Sequence, residues 1–175
     1  VPVIEDGAKV IADSWAIANY LEDAYPDRPS LFGGTGGRAV SRFVNGWADT
    51  VQNAGISTFV AADIVEHLDP GDRDYFRRSR EQRFGMTLEQ FCANREQRIV
   101  GFRRSLEPLR NSLGAQPFLG GGSPLYADYI VFGGFQWART ISSFALLEAG
   151  DPITLWRERM LDLFDGLARK APAYS

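Results

Sequence analysis

The chain has 175 residues, 45% of them hydrophobic and 23% charged, with a formal net charge of -3. These proportions suit a globular protein of one large or two small domains, and the mildly acidic balance offers nothing to nucleic acid or to an anionic membrane surface. One cysteine, Cys92, excludes an intrachain disulfide framework and fits a reducing, cytoplasmic setting. One histidine, His67, leaves too few soft ligands for an ordinary zinc site, and no apolar run reaches membrane-spanning length.

Val1-Pro2-Val3-Ile4 reads as a short strand, Glu5-Asp6-Gly7 as a turn and Val10-Ile11-Ala12 as the returning strand. Asp13 or Ser14 then caps a helix whose apolar stripe is Ile17, Tyr20, Leu21 and Ala24, and Tyr25-Pro26 ends it. Two strands and one helix cannot close a core, and the first residue is not methionine, so the chain is expected to begin in the middle of a fold. Residues 27–37 are rich in proline and glycine and form the linker between a first unit, 1–26, and an all-helical remainder, 38–175.

From Arg38 the pattern is helical. Phe43, Trp47, Val51 and Ala54 predict one long amphipathic helix to about Glu66. A turn at Asp69-Pro70-Gly71-Asp72 leads into an arginine-rich helix that stops at Gly85; acids among its arginines make it a solvated face. Thr87 and Gln90 form a capping box ahead of a stripe running from Leu88 to Leu113. Pro108 should kink or end that run, and Gly114 should follow its end. Pro124 to Ala138 is the most apolar helix, where Gly133-Gly134 points to close approach of a neighbouring backbone. Asp151-Pro152 opens the last helix, with Trp156, Met160, Leu163, Phe164 and Leu167 facing inward.

Few residues carry chemistry. Pro2 is either an edge-strand proline or a cis-proline that frees the Val1 backbone to pair with an extended, peptide-like ligand. Asp13 and Ser14 either cap the helix or use the same helix terminus to hold an α-amino acid end. Ser14 would then donate to its carboxylate and Asp13 accept from its ammonium. Phe43 and Trp47, with Tyr75 and Phe76, are either core or the lining of an apolar pocket. Asp128 opens a deeply apolar helix and needs amide partners; Ser123 offers an alternative cap. Cys92 reads as buried packing and His67 as a surface or helix-end residue, and no Ser-His-Asp, metal or phosphate-loop pattern is present.

In order, these pieces resemble the glutathione transferase family. Val1-Pro2-Val3-Ile4, Asp13-Ser14, Ile17-Ala18-Asn19-Tyr20-Leu21 and Tyr25-Pro26 look like the second half of its thioredoxin-like domain. Phe118-Leu119-Gly120 with Ala127-Asp128 looks like the start of the buried core helix of its C-terminal domain. Residues 75–85 and 162–167 resemble the serine-type branch, which contains bacterial β-etherases and related fungal enzymes. The implied fold is mainly α: an all-helical C-terminal domain preceded by the hairpin and helix of a partial thioredoxin-like domain. The resemblance also implies glutathione held by Val1, Pro2, Asp13 and Ser14, a small hydrophobic or aromatic electrophile beside Phe43 and Trp47, and a homodimer. The family's thiolate-activating serine, cysteine or tyrosine is expected upstream of residue 1. The family also places a serine, threonine or asparagine three residues before the buried aspartate, where this chain has Leu125.

Overall fold

The computed structural model describes residues 2–174. Strands β1 (Val3–Asp6) and β2 (Lys9–Ala12) pair antiparallel, with Val3 opposite Ala12 and Asp6 opposite Lys9, around a turn in which Gly7 takes φ +59°. A left-handed residue there is what a two-residue hairpin loop requires. Helix α1 (Ser14–Ala24) follows directly. A lone hairpin is marginal in water, and this one is tied to α1 through Asp6. Its carboxylate accepts from the Tyr20 hydroxyl at 2.9 Å and from that of Tyr25. The Tyr25 and Tyr20 hydrogen bonds hold the Asp6 carboxyl below its usual range, and the Asp6 hydrogen bond pushes both phenols up.

The linker is docked rather than loose. Phe32 is buried, with its ring 5.6 Å from Trp15 and 5.4 Å from Tyr126, and Leu31 N–H donates to Glu22 at 2.7 Å. The Tyr126 hydroxyl donates to the Ser14 carbonyl at 2.8 Å, so the start of α1 is pinned to the helical region.

The long helix forms without a break from Thr35 to Val60, as α2 (Thr35–Trp47), a π-helical turn (Ala48–Asn53) and α3 (Ala54–Val60), but it stops short of Glu66, where a 3₁₀ turn (Asp63–His67) takes over. The wide turn carries Gln52 into the core, where its Nε2 donates to the Val131 carbonyl at 2.7 Å. A glutamine donor to a helix carbonyl is a polar contact that the apolar period could not disclose.

Helix α4 (Pro70–Phe84) ends at Gly85 (φ +68°), as expected, and Arg77 pairs with Glu81 and Glu89 on its surface. The Thr87–Gln90 capping box forms in full at α5 (Leu88–Phe91). Pro108 takes effect as a break at Leu106 between α6 (Arg95–Ser105) and α7 (Glu107–Ala115). Gly114 lies inside α7, whose C-cap is Gln116. Cys92 is buried beside Ala61 and Leu88, and burial pushes its thiol pKa up.

Helix α8 (Tyr126–Ile141) is central to the core. Asp128 is fully buried. Its carboxylate accepts from the amides of Leu119 (2.7 Å), Gly120 (2.9 Å) and Leu125 (3.0 Å) and from the Trp156 indole (2.8 Å). The hydroxyl missing at Leu125 is replaced by that residue's own carbonyl, which accepts from Asp128 N–H at 2.9 Å; Ser123 makes no side-chain hydrogen bond among the described residues. The glycine pair divides its roles. A Cβ on Gly134 would lie 2.3 Å from Asn53 Oδ1 and 2.8 Å from Gln52 Nε2, so side chains rather than backbone press there, while Gly133 has open space above it.

The final helix, α9 (Pro152–Gly166), departs from its predicted inward face. Trp156 and Met160 are buried, but the helix unwinds at Leu163, and Phe164, Asp165 and Gly166 take φ +53°, +55° and +72°. Phe164 and Leu167 are each 69% exposed as a result. Left-handed backbone costs a residue with a Cβ roughly 1–2 kcal/mol.

Three outcomes test this account. Asp128→Ala should lower the unfolding free energy by roughly 3–5 kcal/mol in urea titrations, because the buried Trp156 indole and three part-buried amides lose their acceptor. Gly134→Ala should cost about 1–3 kcal/mol by overpacking, whereas Gly133→Ala should be neutral or slightly stabilising. The depressed Asp6 carboxyl contributes stability that is complete above the ordinary carboxylate pKa of about 3.9 and is lost as pH falls through its lowered value. Asp6→Asn should therefore lower Tm at pH 7 and flatten the acid limb of a Tm–pH profile.

Candidate functional site

The head of α1 is where the sequence-predicted residues meet. Pro2 carbonyl accepts from Asp13 N–H at 3.1 Å, which continues the hairpin ladder by one step and sets the two residues side by side. Asp13 has φ +81° and ψ 128°, a sparsely populated conformation for any residue but glycine. Its Oδ1 accepts from Ala16 N–H at 3.0 Å, so Asp13 is the cap. That frees Ser14: its exposed hydroxyl makes no hydrogen bond among the described residues. The capping and ligand readings are thus split between the two residues, one side chain being used and the other available. Val1 lies outside the described residues.

Ser14 opens onto two adjoining hollows. One, of about 460 Å³, is polar and is lined by Asp13, Ser14, Trp15, Arg42, Asn45, Gly46 and Asp49. Arg42 sits over the Trp15 ring at 5.1 Å, so the cation is held at the rim. The other, a cleft of about 700 Å³, has Pro2 and Ser14 at one end. Asn45, Asp49 and Asn53 form one wall of it, and Tyr126, Tyr129, Ile130, Gly133, Gly134 and Trp137 the other. Asn45 Nδ2 donates to Asp49 Oδ2 at 2.8 Å, and Asn53 Oδ1 is a buried acceptor without a partner among the described residues. Burial pushes the phenols of Tyr126 and Tyr129 up, so both stay neutral donors at physiological pH.

Phe43 and Trp47 are elsewhere. They line an apolar groove of about 260 Å³ with Val44, Pro108, Leu109, Ser112, Leu119 and Val131, and none of these residues lines the cleft. Phe43 is 75% exposed. Tyr75 is exposed on α4 and Phe76 packs beside Leu88 and Cys92, so neither joins the cleft. Sequence reasoning missed both cleft walls. Their signal was present as spacing: Asn45, Asp49 and Asn53 recur every four residues, as do Tyr129, Gly133 and Trp137.

A family model described as the C-terminal domain of glutathione S-transferase matches residues 39–148. The chain belongs to the glutathione S-transferase family. The expected fold class, mainly α with a preceding hairpin and helix, holds. A glutathione S-transferase-like protein, ustS, of Aspergillus flavus is 26% identical over 167 residues, spanning 88% of this chain and 55% of that protein. Glutathione transferase GSTFuA3 of Phanerochaete chrysosporium is 31% identical with a TM-score of 0.71, covering 95% of this chain and 65% of that one. A glutathione S-transferase of Ceriporiopsis subvermispora, solved in complex with glutathione, is 25% identical with a TM-score of 0.66, covering 95% of this chain and 66% of that one. The chain thus spans between about half and two thirds of the length of these relatives.

Proposed function

We propose that this glutathione transferase-like protein joins glutathione to an apolar or aromatic electrophile, or cleaves an aryl ether with it. The observation that carries this reading is the Ser14 hydroxyl at the head of α1, without a partner among the described residues, beside Pro2 and opening on a cleft with an aromatic wall. Helix N-termini present amides without intrahelical partners and the positive end of the dipole, so the α-carboxylate of a γ-glutamyl group fits there. With its Oδ1 taken by the Ala16 amide, Asp13 offers its second carboxylate oxygen, Oδ2, to the neighbouring ammonium, and the Val1–Pro2 backbone is assigned to the cysteinyl portion.

The chemistry is nucleophilic substitution. The thiolate sulfur forms a bond to carbon, and a halide or aryloxide leaves with its bonding pair. The chain's residues bind and orient: Ser14 and Asp13 fix the peptide, and the wall from Tyr126 to Trp137 excludes water around the electrophile. Lowering the thiol pKa falls to a serine, cysteine or tyrosine of the complete thioredoxin-like domain, for which these 175 residues offer no counterpart. A cytoplasmic homodimer acting in detoxification completes the reading, as the resemblance implies. Because Phe43 and Trp47 line a separate groove, the electrophile is assigned to the Tyr129–Trp137 wall.

Calorimetry and conjugation assays on the full-length protein test the proposal. Ser14→Ala should weaken glutathione binding by about 10-fold or more, the value of a hydrogen bond to a charged group, with Tm unchanged because Asp13 provides the cap. A full-length protein that binds no glutathione would sink the proposal, and binding without turnover would reduce it to a non-catalytic ligand carrier.

A further inference from the structure

The chain holds one exposed aromatic ring in place at the expense of backbone strain. Phe164 is 69% exposed and lies in a left-handed turn with Asp165 and Gly166. Two successive left-handed residues with side chains inside a helical segment persist only where surrounding contacts over-determine them. The contacts are visible. Leu161 and Met160 anchor the helix before the turn, while the Ala168 carbonyl after it accepts from Gln136 Nε2 at 2.9 Å. Between these anchors the Phe164 ring stacks on Tyr129, with centroids 6.5 Å apart and planes 27° from parallel. Tyr129 is a wall residue of the cleft.

We infer that Phe164, which does not itself line the cleft, is a positioning residue: it holds the ring of the wall residue Tyr129 so that flat aromatic ligands are favoured over aliphatic ones of similar size. A flat ring entering past Ser14 finds Tyr129 already backed by a second ring, which fixes the tyrosine's tilt. An aliphatic chain gains only area, whereas an aromatic ring also gains the offset-stacked geometry. The inference rests on the proposed function for its catalytic consequence but not for its binding consequence.

The test has two arms on the full-length protein. In turnover, glutathione displaces chloride from 1-chloro-2,4-dinitrobenzene or iodide from 1-iodohexane, a carbon–sulfur bond replacing the carbon–halogen bond in each case. Phe164→Leu should raise KM for the aromatic substrate about 3- to 10-fold, the size of one aromatic contact. It should leave the KM for glutathione and for 1-iodohexane within 2-fold, and Phe164→Tyr should behave as wild type. Phe164→Gly should raise Tm, since the strain is relieved, yet lose the same selectivity; a purely structural role for the ring would not separate these readouts.

In binding, 8-anilinonaphthalene-1-sulfonate fluorescence should report a Kd weakened about 3- to 10-fold by Phe164→Leu and lost in Gly133→Trp, which fills the cleft. Equal losses for aromatic and aliphatic substrates, an unchanged naphthalene Kd in Phe164→Leu, or retained binding in Gly133→Trp would each overturn the inference. If no glutathione is bound or conjugated but the fluorescence pattern holds, the transferase reading fails and the role of Phe164 stands.

Discussion

A buried carboxylate sets the geometry of the molecule. Asp128 is held by three amides from the approach to α8 and by the indole of Trp156 on α9. Such a group is tolerable only when every acceptor site is used, and here the donors come from two separate parts of the chain. The loop before α8, the first turn of α8 and the docking of α9 are therefore fixed together. Tyr126 and Tyr129 sit within a turn of this anchor. One reaches the Ser14 carbonyl and the other forms the cleft wall. The position of the candidate ligand site relative to the hairpin thus follows from an interaction that touches no ligand.

The cleft is asymmetric because its walls come from helices with different duties. Helix α8 is apolar nearly all round, and one glycine on it opens the cleft while the next admits Asn53 and Gln52. Helix α2 and the π-helical turn are amphipathic: Val44 and Trp47 face the core and the apolar groove, while Asn45, Asp49 and Asn53 face the cleft. An unpartnered buried acceptor at Asn53 is the kind of polar group that fixes ligand orientation within an otherwise apolar pocket.

Local signals in the sequence were legible wherever one residue decides the outcome. Gly7 in the hairpin, Gly85 at a helix end, the Thr87–Gln90 box and the break before Pro108 each follow from the backbone chemistry of that residue. The head of α1 was legible as a cap, but the division of work between Asp13 and Ser14 depends on which side chain reaches the Ala16 amide in the folded chain. What escaped were features that depend on pairing between distant segments. Gln52 looks like a surface glutamine until Val131 is beside it, and Phe164 and Leu167 continue an apolar period that the backbone abandons. Phe43 and Trp47 were legible as an aromatic stripe, but a period cannot say which of two hollows flanking a helix they line.

The π-helical turn at Ala48–Asn53 has a consequence for how this scaffold can change. A turn with one additional residue rotates everything before it by about 100° relative to everything after it. Deleting one residue there would restore a plain helix, but it would swing either Asn45 and Asp49 out of the cleft or Gln52 out of the core. The inserted residue acts as a phase shifter that lets one rod serve two unrelated angular demands.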